Sequence, residues 1–454
     1  MVDEKEFALP LGSFLFPRIF CAFRMAIQPS KLAIAFAALA AICLTGWTMD
    51  LSRTVVTGNY TVALPRGASN ETRGNQTVTE LDVYMRSSAD LKNFIISREA
   101  TGDRAGVFST LWHCGADEFH NAVYAVLSLD IPGIVRTVAN GIRALAWAFR
   151  WHTLYSIIFF AIAFVILSLA GGAICRIAAT QFARADRPRL MQAIRFSQRR
   201  LASLVGAPLG PVLIILAFGV PTVLLGLIGN LPVAGPLLTG LLLPLSLAAA
   251  CATTIVLIGA IGGLSLMSPA IAYDDSDSFD AISRSFIVYS DPWRMGFYTI
   301  VAVVYGAICY LFVRLFGFLL LWMTRSFLQI GFLEQNQKLD AIWPAPTFDS
   351  LVGPVGAMPG TWPLWLAALL IRVWVLAVVG LIASFAISFY FSASTIVYAL
   401  MRKRVDGTPP EEIHTSQSEA SAEPQLSGTE SQAGDSEPAM ETNRGSGQTP
   451  KTSE

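Results

Sequence analysis

Residues 263–298 read GLSLMSPAIAYDDSDSFDAISRSFIVYSDPWRMGFY, a polar stretch set between two membrane-length apolar runs. Pro269 is expected to end the run before it. Asp277 or Ser278 is placed to cap a short helix with Phe279, Ile282 and Phe286 on one face, and Asp280 and Arg284 are spaced for an i,i+4 ion pair. Asp291 then caps the following run, with Pro292 at its first helical position and Trp293 at interface depth. The stretch therefore reads as an elbow: a surface helix that turns the chain back into a membrane.

Working outward, the 454 residues are 54% hydrophobic and only 14% charged, and mean hydropathy is +0.54. A soluble domain carries about a quarter charged residues, so this chain lacks the means to cover a water-facing surface. Apolar runs near 32–49, 154–174, 205–245, 246–267, 293–323 and 366–400 each approach or exceed the roughly 20 residues needed to cross a bilayer. The fold class is an all-α integral membrane protein with six transmembrane helices and amphipathic surface helices on both sides. Residues 1–31 form an N-terminal segment whose Arg18, Arg24 and Lys31 point to headgroups, 32–404 the membrane domain, and 405–454 a disordered acidic tail. Seven arginines between Arg176 and Arg200, with Arg402, Lys403 and Arg404 after the last run, place those connections and both termini in the cytoplasm of a bacterial inner membrane.

The longest polar segment, 52–151, reads as an outer insert. Its first half is Thr- and Val-rich and suits short strands, and its Asn59, Asn70 and Asn75 sequons are what such composition produces by chance. Further on, Ile134, Val138, Ile142, Leu145 and Phe149 recur at helical spacing, with Arg136, Arg143 and Arg150 seven apart. That pattern predicts an amphipathic helix lying on the outer membrane surface with its arginines on lipid phosphates. The six cysteines form no CxxC pair and read as packing residues.

The pattern Ala-Ile-x-x-Ser occurs at 26–30, 193–197 and 281–285, each time before an outbound run. It predicts three units, each a surface helix followed by a hairpin, and so a threefold internal repeat. The string PAIAYDDSDSFDAISRS (269–285), followed by PWR (292–294), resembles the membrane domain of membrane-anchored glycerophosphodiester phosphodiesterases and related six-span bacterial inner-membrane proteins. The resemblance implies the six-span plan. That family's soluble catalytic domain has no counterpart in these residues, so hydrolysis is not implied, and the long insert departs from the family's compact loops.

Candidate sites are few. Asp50, Arg314 and Arg372 are expected at the outer ends of their spans, where a polar cluster is the sharpest candidate, the two arginines otherwise snorkelling to headgroups. His113, Asp117 and His120 in HCGADEFH share a helical face, with Cys114 and Glu118 beside them, and are the candidate metal ligands. Glycines and prolines interrupt 205–245, and such breaks make substrate sites in transporters. No catalytic constellation, cofactor motif or nucleic-acid module is present, so no enzyme activity or cofactor is expected. The leading expectation is a structural or envelope-related protein acting through membrane lipids or other membrane proteins. A transporter of small molecules or lipids built on 205–267 is the alternative, and an outer-face lipid-modifying enzyme the third.

Overall fold

The computed structural model describes residues 16–60, 76–98, 103–184, 188–232, 234–331, 339–340, 342–353, 361–405 and 407; the expected disordered tail lies almost wholly outside them. In chain order the helices are α1 (Cys21–Ala26), α2 (Pro29–Met49), α3 (Glu80–Arg86), α4 (Leu91–Arg98), α5 (Val107–Leu127), α6 (Ile131–Trp151), α7 (Thr153–Arg184), α8 (Leu190–Arg199), α9 (Leu201–Ile228), α10 (Ala234–Asp274), α11 (Ser278–Ser285), α12 (Pro292–Gly331) and α13 (Trp362–Val405). Strands β1 (Val55–Tyr60), β2 (Gln76–Thr79) and β3 (Arg104–Ala105) form one antiparallel sheet in the order β2-β1-β3. Six helices, α2, α7, α9, α10, α12 and α13, are long and apolar enough to cross a membrane, so the chain is a polytopic membrane protein.

Five of these six are arranged as the repeat predicts; the exception is α12, which packs on α13 but not comparably on α10. The second long helix of each unit, α7, α10 and α13, packs on the other two as a central triangle. Of the first helices, α2 sits between α7 and α13, and α9 between α7 and α10. Elbow helices α8, α11 and α1 pack on α7, α10 and α13, so each elbow rests on the second helix of the unit before it, and the first closes on the last. The repeated serines explain why. Ser197 is fully buried, and its Oγ would lie 2.7 Å from a Cβ added at Gly172 of α7. Ser285 is likewise buried against Gly263 of α10, where an added Cβ would meet its backbone oxygen at 2.8 Å. The first copy differs: Ile27 ends α1 and is exposed, and contact is made by Ser388 of α13, which donates to the Ala26 carbonyl at 2.8 Å.

The core sits at this elbow end. The last turns of α7, α10 and α13 are rich in Ala, Gly and Ser and almost completely buried, because small side chains let three helices approach closely. Gly263→Ala is accordingly expected to cost about 1–3 kcal/mol by overpacking against backbone. Gly219→Ala, where nothing lies within 4 Å, should be neutral or slightly stabilising. Thermal unfolding in detergent measures both, and equal melting temperatures would refute the close approach.

Two expectations change. Pro269 does not end the fourth span: α10 runs through it to Asp274, and α9 runs unbroken through Pro208, Pro211 and Pro221. Among the described residues from Val212 to Ile258 only Gly235 is buried, so most of this hairpin leans on itself and faces lipid. The 205–267 region thus holds a continuous lipid-facing hairpin where the transporter reading needed broken helices around a site.

The larger change concerns α5 and α6. α5 starts at the end of α2, where Asp50 accepts from its first amides. Thirteen residues on, Phe119 and His120 meet Tyr310 of α12. Tyr310 lies between Tyr305 and Phe312, which touch Phe20 and Phe23 in the segment leading into the start of α2. Over its 21 residues, the same length as α2, α5 therefore travels back from the far end of α2 to its near end. A tight turn with Leu129 at φ 55° follows, and α6, again 21 residues, returns to the level where Tyr155 of α7 meets Asp50. At 1.5 Å per residue each arm is roughly 31 Å long, the thickness of a hydrocarbon core. The predicted helix at 134–149 is present, but it runs along the bundle and not flat on its outer surface. The strands, α3 and α4 pack over the far end of α6 around Val55, Leu81, Leu91 and Trp147.

Candidate functional site

At the elbow end one carboxylate gathers the bundle. Asp274, last residue of α10, has a side chain only 1% exposed. Its Oδ1 pairs with Arg402 Nη2 at 3.1 Å, and its Oδ2 pairs with Arg284 Nη1 at 3.2 Å and accepts from Tyr398 Oη at 2.5 Å. Arg402 also lies over the Tyr273 ring, 5.4 Å from its centroid. Alongside, Arg200 between α8 and α9 reaches Asp275 at 2.8 Å and Asp277 at 3.2 Å. The expected Asp280–Arg284 pair forms at 2.8 Å. Burial works against the Arg284 charge, but the Asp280 hydrogen bond and the Asp274 charge outweigh it and hold the guanidinium above its usual pKa. Asp277 stands at the N-cap of α11 without a side-chain cap bond, its carboxylate being turned to Arg200. α12 begins at Pro292, with Asp291 accepting from the Arg294 amide at 3.4 Å and pairing with its side chain at 3.1 Å. This network ties α10, α11 and α13 together.

Lys31 was expected to reach headgroups. Instead it is fully buried at the start of α2, its Nζ donating to Gln181 of α7 at 3.2 Å, with no carboxylate in ion-pair range among the described residues. The apolar face of α1 docks on protein as well: Phe23 packs on Phe312 and Phe385, and Ala22, Met25 and Ala26 are buried.

The outer cluster of Asp50, Arg314 and Arg372 does not assemble. Asp50 caps α5, accepting from Phe108 N at 2.9 Å, Ser109 N at 2.8 Å, Ser109 Oγ at 2.6 Å and Tyr155 Oη at 2.8 Å. Arg314 lies one turn before Gly317, which packs on Ile382, ten residues inward of Arg372; the two arginines are thus roughly 20 Å apart along the bundle. Nor does Arg314 snorkel. It is 3% exposed and donates to the carbonyls of Phe348 and Asp349 at 2.8 and 3.0 Å, with Phe348 stacked on its guanidinium. Arg325, three turns further out, donates to the Trp343 carbonyl at 3.1 Å and pairs with Asp340. Two arginines on one face of α12 thereby hold an irregular segment against the helix. Non-helical backbone at such depth is stable because protein donors satisfy it.

The metal candidates also separate. His120 Nε2 meets Tyr310 Oη at 3.0 Å, His113 and Asp117 are exposed, and no group of three His, Cys, Asp or Glu among the described residues is arranged to hold a metal ion.

What the two arms of the new hairpin enclose is a cleft of about 370 Å³, lined by Glu118, Asn121, Tyr124, Asp130, Arg136 and Asn140 among others. That volume lies in the range of small-molecule sites. Asn140 Nδ2 donates to Glu118 Oε1 at 2.8 Å across it, roughly 16 Å in from the far end of either helix. On the opposite face of α6, Ile131, Val135, Val138, Ile142, Leu145 and Phe149 form an exposed apolar stripe. Arg136, Arg143 and Arg150 run along its flank, also exposed. The sequence pattern contained this stripe and arginine row but not the cleft, which needs α5 placed opposite α6. No known protein family, curated protein or solved structure matches the chain.

Proposed function

We propose that this protein handles membrane phospholipid without covalent chemistry, its α5–α6 hairpin giving headgroups a polar-sided track along the bundle. The observation that carries this is the course of α5 and α6. They run the length of α2, yet bring Glu118, Asn121, Asn140 and Arg143 to depths where the neighbouring helices are apolar. Polar side chains at such depth mark a pathway. Acyl chains would lie on the α6 stripe while phosphates pass the arginine row, whose steps of seven residues are roughly 10 Å each. This keeps the lipid-contacting role expected of an envelope protein and moves the transport alternative from 205–267 to 107–151. The exposed Arg184, Arg189, Arg195 and Arg199 at the elbow end support a cytoplasmic placement of that end in a bacterial inner membrane. The likeness of 269–294 to phosphodiesterase membrane domains fits the same plan, as a bundle that presents lipid.

Vesicles containing a fluorescent phospholipid, bleached from outside by dithionite, provide the test. Reconstituted protein should make the inner-leaflet lipid bleachable within minutes, and Arg143→Leu should slow this several-fold. A bleaching plateau identical to that of protein-free vesicles would overturn the proposal.

A further inference from the structure

The cleft between α5 and α6 carries charges of both signs that are not matched to one another. Glu118 has one oxygen engaged by Asn140. Asp130, the N-cap of α6, makes no side-chain cap bond; its Oδ2 folds over Gly133, only 2.3 Å from where a Cβ would stand. Arg136, one turn on, faces the same cleft. Among the described residues neither Asp130 nor Arg136 makes an ion pair, although both line this small space. A binding site for a simple anion would not carry two carboxylates, and a site for a simple cation would not carry the arginine. A ligand with a phosphate and an ammonium group answers both signs. The exposed apolar stripe lies on the other face of the same helix, with the arginine row between it and the cleft, so a ligand reaching past the arginines meets apolar surface with hydrocarbon.

From this geometry we infer that the cleft is a headgroup site for a zwitterionic phospholipid with a primary amine, of the phosphatidylethanolamine type. The phosphate lies on Arg136 and the ammonium donates to Glu118, with Asn121 and Thr137 as further polar contacts and Asp130 nearer the turn. A quaternary ammonium has no N–H to donate, so phosphatidylcholine should be discriminated against although its charges are the same. The turn at Ser128–Asp130 places the site toward the elbow end, hence in the leaflet on that side. The inference rests on the lipid-handling reading and adds selectivity to it.

The full chain, released from nanodiscs of equal parts phosphatidylethanolamine, phosphatidylcholine and phosphatidylglycerol, would be weighed intact by native mass spectrometry. The expected result is preferential retention of phosphatidylethanolamine, at least fivefold over phosphatidylcholine. Glu118→Gln, which keeps the bond with Asn140, and Arg136→Gln should each abolish the preference. Equal retention of the two zwitterions, preference for phosphatidylglycerol, or wild-type selectivity in both variants would overturn the site. The same proteins reconstituted into vesicles for the dithionite assay separate the two ideas. Rapid bleaching without amine preference removes the site and leaves lipid handling standing. Selective retention with no bleaching removes the passage and leaves a bound lipid.

Discussion

Asp274→Ala is expected to destabilise the bundle by about 3–5 kcal/mol, because it takes from Arg402, inside the protein, the carboxylate it pairs with. In the wild-type protein the two Asp274 oxygens serve Arg402, Arg284 and Tyr398, three groups drawn from α13, α11 and α13 again. The Arg402 side chain is 8% exposed and cannot turn to water when its partner goes, whereas Arg284 is 39% exposed and keeps Asp280. The loss should therefore be dominated by Arg402. This predicts an ordering that mere disruption would not produce. Asp274→Asn retains an acceptor and the packing but loses the charge, and should fall between wild type and alanine. Adding Arg402→Met to Asp274→Ala should recover much of the loss, since replacing a whole buried pair by apolar groups is far less costly than breaking it. Melting temperatures of the four proteins in one detergent decide the matter. A double variant as unstable as Asp274→Ala would mean that Arg402 is not the stranded charge.

This knot was hidden in plain view. Asp274 stands in a string with Asp275, Asp277 and Asp280, and local rules treat such acids as helix caps and i,i+4 partners. They were right for Asp280 and for the N-cap position of Asp277, but not for its carboxylate, which turns to Arg200. Nothing local distinguishes Asp274, whose partner Arg402 arrives at the end of the last span. The spans themselves were legible because each must be apolar on every side that meets lipid. The elbows were legible because a buried serine against glycine leaves the same short pattern in two copies. α5 and α6 were seen in part. Their 3.6-residue period is plain, but a helix with one apolar side fits a membrane surface and a membrane passage equally well, and average hydropathy favours the surface. Only the contacts of Asp50 at one end and Tyr310 at the other separate these. Arg314 escaped for a related reason: α12 begins thirteen residues before Tyr305, which packs on Phe20 ahead of α2, so position along the run does not give depth. Its partners are main-chain carbonyls, which carry no sequence signature.

If the hairpin is held in the bundle as described, its anchor is the carboxylate of Asp50, and removing it should free α5. Four donors converge on this side chain, and two are the first amides of a 21-residue helix, which have no partners within the helix. A negative charge there also meets the positive end of the helix dipole. Capping and stranded donors together put the cost of Asp50→Ala at about 2–4 kcal/mol. Gly106 supplies an independent way to the same state. It precedes α5, and a Cβ at that position would lie 2.0 Å from the Asp50 carboxylate, so Gly106→Ala must push the cap aside. Gly115, on the same helix with nothing within 4 Å, is the control. Cys114 of α5 is partly buried and serves as the reporter. Maleimide labelling of this thiol, in a background with the other cysteines replaced, should accelerate at least tenfold in Asp50→Ala and in Gly106→Ala, and not in Gly115→Ala. Because both changes break one interaction, the double variant should label no faster than either single variant. Multiplicative rates would mean that glycine and aspartate act separately. Unchanged labelling in Asp50→Ala would mean that α5 is held by its apolar contacts with Gly46, Phe159 and Tyr310 alone.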